Sequence, residues 1–287
     1  MYIGGVTGSA QCFTSYDTYQ NSSNVHWIDH AVNTGWGVVP IWDAKQAPCE
    51  SIYSNTMPIS PSNANTQGSN AADQALTAMS NLGFSSPGGG KPPIVYLDIE
   101  SYQGTFNSGL SGCSGYTASD QNTAVIAYIQ GWTDELVAQG DFSGVYGSAS
   151  SSEMSNWWSG GSPAANQALL ADWNGIASVW GLGGINDAPA WNTKGDQRIV
   201  QFWNDCINGG WHGPCEGQPL STPDLTINGI QIGYDFDCMM GRVDPNGSDD
   251  HSGTDSEPSV NNQQQNESGD GSCASWFWHP WYPGNHA

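Results

Sequence analysis

Positive charge is scarce in this chain: 5 Lys+Arg stand against 27 Asp+Glu, a formal net charge of −22. A phosphate backbone is held by a basic patch that neutralises it, so nucleic acid is excluded as a partner. An anionic membrane surface is disfavoured on the same ground. Long apolar runs are missing as well. No stretch reaches the ~20 consecutive apolar residues that a membrane span requires, so the chain reads as soluble, without a span. The opening MYIGGV lacks the basic n-region and apolar h-region of a signal peptide, so export is inferred from composition instead. Seven Cys (12, 49, 113, 206, 215, 238, 273), few Lys, and much Asn, Ser, Gly and Trp suit an oxidising extracellular or cell-envelope setting. With 287 residues, one large α/β domain has enough chain for a sizeable core.

Composition divides the chain in three. Residues 1–243 alternate short apolar runs with helical patterns. Residues 244–275 (DPNGSDDHSGTDSEPSVNNQQQNESGDGSCAS) hold almost no large apolar side chain and read as a disordered acidic linker. Residues 276–287 carry Trp276, Phe277, Trp278, Trp281 and Tyr282. Such a cluster of rings is expected to dock, on its own barrel in the preferred reading, or on a second copy through self-association of the 276–287 tail.

Seven runs before Arg242 read as strands: 1–6, 37–43, 94–100, 143–148, 168–173, 198–204 and 230–237. Between them, Val25 to Thr34, Ala71 to Leu82 and Ser119 to Gln139 read as helices, each followed by Gly. The last places Val125, Ile129, Trp132 and Leu136 on one face. This alternation predicts an α/β fold, a TIM-type (β/α)8-like barrel with seven recognisable strands.

In such a sheet function gathers at the carboxyl ends of the strands. Several runs here end in acids or amides: Asp43, Asp98 with Glu100, Asp172, Gln201, and Asp235 with Asp237. Residues two apart on a strand leave the same face, so Asp98 and Glu100 sit roughly 6 to 7 Å apart along it. Partial burial and mutual repulsion then raise one carboxyl pKa and leave the other ionised. A glycosidase needs that asymmetry, one acid for the leaving oxygen and one carboxylate facing the developing positive charge. The bland alternative is a solvated strand end with incidental acids. Trp42, Tyr96, Tyr102, Tyr146, Trp157, Trp158, Trp173 and Trp203 concentrate near the same ends, and aromatic faces stack on sugar C–H faces; the competing reading is that such rings fill the core.

Other chemistries fail on spacing. Carboxylates including Asp43 could hold a divalent cation, but no His accompanies them, and the reading adopted has no metal and no cofactor. His26 and His30 lack the Glu of H-E-x-x-H. Gly147-Ser148-Ala149-Ser150 is not a nucleophile elbow. Among the cysteines, Cys206 and Cys215 flank a Gly/Pro-rich turn and are the expected bridge, while Cys12 and Cys49 each follow a strand end and could be neighbours.

The blocks MYIGGV, GWGVVPIWDAKQAPC (35–49), PIVYLDIESY (93–102), GWTDELVAQGDFSGVYGSAS (131–150), LADW (170–173), IVQFW (199–203) and YDFD (234–237) occur in that order. With them, residues 1 to 242 resemble the glycoside-hydrolase-like domain-of-unknown-function family 1906, relatives of the family 25 lysozymes. The resemblance implies a (β/α)8-type barrel and cleavage of peptidoglycan or a similar polysaccharide. It gives Glu100 the place of the general acid and Asp98 that of the acid orienting the N-acetyl group or stabilising the oxocarbenium. Asp235 or Asp237 takes the place of the last-strand carboxylate. The family's first strand, reading like G-F-D-T-C, is absent upstream of the Y-I-G-G block, and the aromatic tail is the candidate to fill that slot. Three functions follow: a secreted hydrolase of cell-wall glycan, a non-catalytic carbohydrate-binding or envelope-structural protein on a degenerate barrel, and a filament subunit joined through the tail.

Overall fold

Parallel strand pairing organises the first part of the chain. The computed structural model describes residues 2–5, 39–50, 58–82, 94–102, 106–149, 153–158, 165–171, 198–203, 225–227, 230–239 and 275–281. Strands β1 (Tyr2–Gly5), β2 (Ile41–Asp43), β3 (Val95–Asp98), β4 (Ser143–Ser148) and β5 (Gln167–Ala171) follow one another in chain order. The β1–β2, β2–β3 and β3–β4 ladders are parallel. At β5 the Asn166 N–H donates to the Ser143 carbonyl and the Ala149 N–H to the Ala171 carbonyl, both at 2.9 Å, so β4 and β5 also run the same way. Every residue of β3 and of β5 is buried, as expected of strands covered on both faces.

The helices supply that cover. Helix α1 (Ala64–Asn81) buries Ala64, Gly68, Ala71, Ala72, Ala75, Ala78 and Met79, a stripe of small side chains at helical spacing. It starts earlier than the Ala71 read from sequence, because the polar stretch before Ala71 carries no apolar period. A 3-10 turn over Pro61–Asn63 leads into it, and Gln67 Oε1 accepts the Ser60 N–H at 2.8 Å. Helix α2 (Ala118–Ala138) opens on a capping box in which Thr117 and Asp120 satisfy each other's backbone N–H. It ends in a Schellman motif: Gly140, at φ +84, donates its N–H to the Val137 carbonyl and Asp141 donates to the Leu136 carbonyl. Val125, Ile129, Trp132 and Leu136 are all fully buried, as their spacing predicts. A side chain at Gly68 would collide with the backbone of Tyr128, and one at Gly131 with that of Asn65. The two helices therefore cross backbone to backbone at these glycines. Short helix α3 (Glu153–Trp158) lies over β4, where a Cβ on Gly147 would meet Trp157 and Met154 within 2.8 Å.

The chain divides into two compact units, Met1–Gly147 with Ser151–Ala168, and Ser148–Ser150 with Leu169–Ala287. In the second, β6 (Arg198–Trp203), β7 (Leu225–Ile227) and β9 (Ser275–Trp281) each pair antiparallel with β8 (Ile230–Met239). This departs from the all-parallel ring expected of a (β/α)8 barrel. For β7 and β8 the reason is local: only Asn228 and Gly229 separate them, whereas a parallel crossover needs a dozen or more residues. Asn-Gly is the dipeptide best suited to a two-residue hairpin. The architecture is thus mixed α/β with five parallel strands, compatible with a barrel-like α/β fold. Among the described residues no helix is long and apolar enough to cross a membrane.

The disulfide expectation is corrected. Cys49 bonds to Cys113, with Cα atoms 5.6 Å apart, so its disulfide partner is not Cys12. Residues 106–113 come to it because the Asn107 N–H donates to the Cys49 carbonyl and Glu50 bridges Phe106, a loop contact with no sequence signature. Cys12, the Cys206–Cys215 pair, the helix Val25 to Thr34 and residues 244–274 of the linker lie outside the described residues.

Candidate functional site

Register across the parallel strands sets the site. Asp43 on β2 pairs with Asp98 on β3, and Asp98 pairs with Tyr146 on β4, so these three form one row at the carboxyl ends of adjacent strands. Residues in register on neighbouring strands project to the same side. Tyr96, two positions earlier, pairs with Gly144, and a Cβ on that glycine would lie 2.5 Å from the Tyr96 ring. The glycine thus makes room for the phenol. Asp98 is buried, whereas Asp43, Tyr146 and Glu100 are half-buried.

Strand β3 formally ends at Asp98, yet its backbone stays tied on both sides as far as Glu100. Toward β4, the Ile99 N–H donates to the Tyr146 carbonyl at 3.2 Å. Toward β2, the ladder is continued by a side chain. Gln46 donates through Nε2 to the Asp98 carbonyl at 3.0 Å and accepts the Glu100 N–H on Oε1 at 2.8 Å. Gln46 is itself buried and also donates to the Ala44 carbonyl at 3.3 Å. Its primary amide stands in for a peptide group and extends β2–β3 pairing beyond Asp43.

Past Glu100 the chain is held from α3. Glu153 Oε1 accepts the Tyr102 N–H at 2.7 Å and the Ser101 hydroxyl at 3.3 Å. The Tyr102 hydroxyl donates to Asn122 Oδ1 on α2 at 2.6 Å and accepts from Trp157 Nε1 at 2.9 Å. Its ring stacks on Trp157 with centroids 6.5 Å apart. Tyr96, Tyr102, Trp42 and Trp157 are all buried, so these rings are interior side chains instead of an exposed rim. Of the tyrosines expected to meet substrate, Tyr146 is the one that keeps exposure.

Burial dominates the electrostatics here. It pushes the phenols of Tyr96, Tyr102 and Tyr128 well up, so all three stay neutral. At Tyr102 the Trp157 hydrogen bond opposes that shift and the Glu153 charge adds to it. At Tyr128 a backbone hydrogen bond from Lys45 opposes and the Asp43 charge adds. Partial burial draws the Lys45 ammonium below its ordinary value. Among the described residues no group of three or more His, Cys, Asp or Glu could hold a metal ion.

In the second unit, Gln201 on β6 pairs with Asp237 on β8, Trp203 pairs with Phe236, and Asp235 pairs with His279 of β9. Gln201 is buried. Asp172 and Trp173 lie outside the described residues. Sequence reading missed Gln46, Glu153 and Asn122, whose roles as backbone clamps and hydroxyl partners leave no motif. The one available signal was a polar residue, Gln46, soon after an apolar run that ends in a candidate acid.

The family described as Rv2525c-like, glycoside hydrolase-like domain matches residues 1–213. No curated protein matches the chain. Two solved structures are similar. One is the 1.07 Å crystal structure of an uncharacterized B. stearothermophilus protein, 15% identical over 71% of this chain and 78% of that one, with a TM-score of 0.37. The other is a Bacillus subtilis protein, ydhD, described as a sporulation-specific glycosylase, 10% identical over 83% of this chain and 77% of that one, with a TM-score of 0.40. Likeness at that level carries no argument about the site, whereas the family match spans well over half of the 287 residues. The chain belongs to the Rv2525c-like, glycoside hydrolase-like domain family.

Proposed function

We propose that this protein is a secreted glycoside hydrolase acting on cell-wall polysaccharide of the peptidoglycan type. The observation that carries the reading is the placement of Glu100. It is half-exposed past the carboxyl end of a parallel strand, two residues beyond the buried Asp98, which itself stands in register with Asp43 and Tyr146. In this role Glu100 is the general acid that protonates the glycosidic oxygen. Asp98 orients the substrate's N-acetyl group or stabilises positive charge at the anomeric carbon, and Asp235 or Asp237 contributes a further carboxylate. Asp43, Tyr146, Asp172, Trp173, Gln201 and Trp203 are the proposed contacts to the saccharide. The Cys49–Cys113 disulfide supports an oxidising, extracellular or envelope location. No cofactor enters this chemistry.

The test is release of reducing ends from purified peptidoglycan by the wild-type chain and by Glu100→Gln, which keeps the side chain's shape but removes its ionisable proton. Hydrolysis by the wild type that falls at least about a hundredfold in the variant fits general-acid catalysis. Equal rates in both remove Glu100 from the role, and glycan binding without any turnover points instead to a carbohydrate-binding protein on a hydrolase-like fold.

A further inference from the structure

Glu153 is an acidic side chain with almost no exposure, 1 %, one segment away from the proposed acid. A carboxylate withdrawn from water is unfavourable unless donors surround it. Here two of those donors belong to the two residues that follow Glu100 in the chain, the Ser101 hydroxyl and the Tyr102 N–H. The helix that carries Glu153 is itself anchored. Met154 and Trp157 pack where Gly147 of β4 leaves no room for a side chain, and Trp157 Nε1 donates to the Tyr102 hydroxyl at 2.9 Å. On the other side of Glu100, Gln46 accepts its N–H and donates to the Asp98 carbonyl.

We propose that Glu153 is a positioning residue for Glu100, acting through Ser101 and Tyr102. The proposal rests on the reading of Glu100 as the acid. A general acid must present its proton within hydrogen-bond reach of the leaving oxygen, and a displacement of about an ångström can cost up to about a hundredfold in rate. Because Glu100 lies past the end of β3, the strand ladder alone does not fix its backbone. The Gln46 amide fixes the residue from the β2 side, and the Glu153 carboxylate fixes the next two residues from the α3 side. Glu153 is itself only 1 % exposed, so its route to the substrate runs through the residues it holds and not through direct contact.

The experiment uses the full chain with 13C-labelled glutamate, the Glu100 carboxyl resonance being assigned by its loss in Glu100→Gln. Glu153→Ala removes the acceptor; Glu153→Gln keeps a carbonyl oxygen in its place. Expected results are a Glu100 resonance that is single in the wild type and in Glu153→Gln and split or broadened in Glu153→Ala. In parallel, kcat on peptidoglycan should fall about tenfold or more in Glu153→Ala, with KM little changed, and recover in Glu153→Gln. A folded Glu153→Ala with the wild-type resonance and kcat overturns the proposal, as does failure of Glu153→Gln to restore either. Should Glu153→Ala not fold, Ser101→Ala removes one of the two donors without opening the interior. A Glu100 resonance unmoved in Ser101→Ala overturns the proposal equally, and broadening supports it. Absence of hydrolysis in the wild type would refute the hydrolase reading, while the resonance still decides the role of Glu153.

Discussion

Gln46 and Glu100, 54 residues apart in sequence, are joined by a 2.8 Å hydrogen bond from the Glu100 N–H to the Gln46 side-chain oxygen. The same amide donates to the Asp98 carbonyl, so one side chain reproduces both halves of a strand ladder step. The end of β3 can thereby leave regular pairing, as a half-exposed acid requires, while its backbone groups remain satisfied.

Gln46→Leu tests that relationship. Leucine approximates the volume but withdraws the donor and the acceptor together, and each buried backbone group deprived of its partner costs about 1–3 kcal/mol. Urea denaturation should show a lower midpoint with an unchanged slope. A variant as stable as the wild type would mean that solvent or a neighbour replaces the amide and that Gln46 is no clamp.

The loop bearing Gln46 is tied down by the Cys49–Cys113 disulfide, which closes a span of 64 residues. On the chain-entropy account such a crosslink stabilises by about 4 kcal/mol. Cys49 also adopts φ +62, the left-handed region that a non-glycine residue enters only when its surroundings hold it there. Reduction, or replacement of both cysteines by serine, should therefore lower thermal stability. Amide exchange should quicken first around residues 44–50 and 106–113, as a local opening. Uniform loss of protection across α1 and α2 as well would show that the bridge supports the whole unit instead of this loop.

Legibility in the sequence followed the range of the contacts. Helix α2 was readable because a stripe of Val125, Ile129, Trp132 and Leu136, a capping residue and a terminal Gly140 all act within a few residues of one another. The acids at the ends of β2 and β3 were readable because strand ends recur as polar breaks in apolar runs. The burial of Tyr96 and Tyr102 is not legible, because an aromatic side chain near a strand end fits a sugar platform and an interior position equally well; Gly144, Asn122 and Trp157 are the neighbours that hold them inside. The reversal at β8 had a local cue, Asn228-Gly229, outweighed by the expectation of parallel repeats. The clamps on Glu100 come from residues 54 and 53 positions away in sequence, and periodicity does not reach that far.

The aromatic segment gives a prediction about association. Strand β9 pairs with β8 of its own chain over Gly233 to Met239, covering an edge that would otherwise offer unpaired backbone groups to another molecule. Light scattering behind size exclusion should find the full chain monomeric, and deletion of 276–287 should produce concentration-dependent association through the uncovered edge. A full chain that is already a dimer and dissociates on that deletion would mean that the strand is exchanged between copies.

Asp141 offers a test of electrostatics away from the site. It follows the C-terminus of α2, where the helix dipole disfavours a negative charge, and partial burial raises its carboxyl above the ordinary 3.8. A carboxyl raised in the folded state contributes most stability when both folded and unfolded chains are protonated, and that contribution is lost as pH rises through the folded value. Near neutrality the ionised Asp141 is therefore a liability. Asp141→Asn keeps the backbone N–H that donates to the Leu136 carbonyl at 2.9 Å and removes the charge, so its Tm should exceed the wild type's at neutral pH. The gap should close as the pH approaches about 3, below the ordinary carboxyl value. A gap that stays constant over that range would assign the gain to asparagine's turn preference and leave the charge with no part in it.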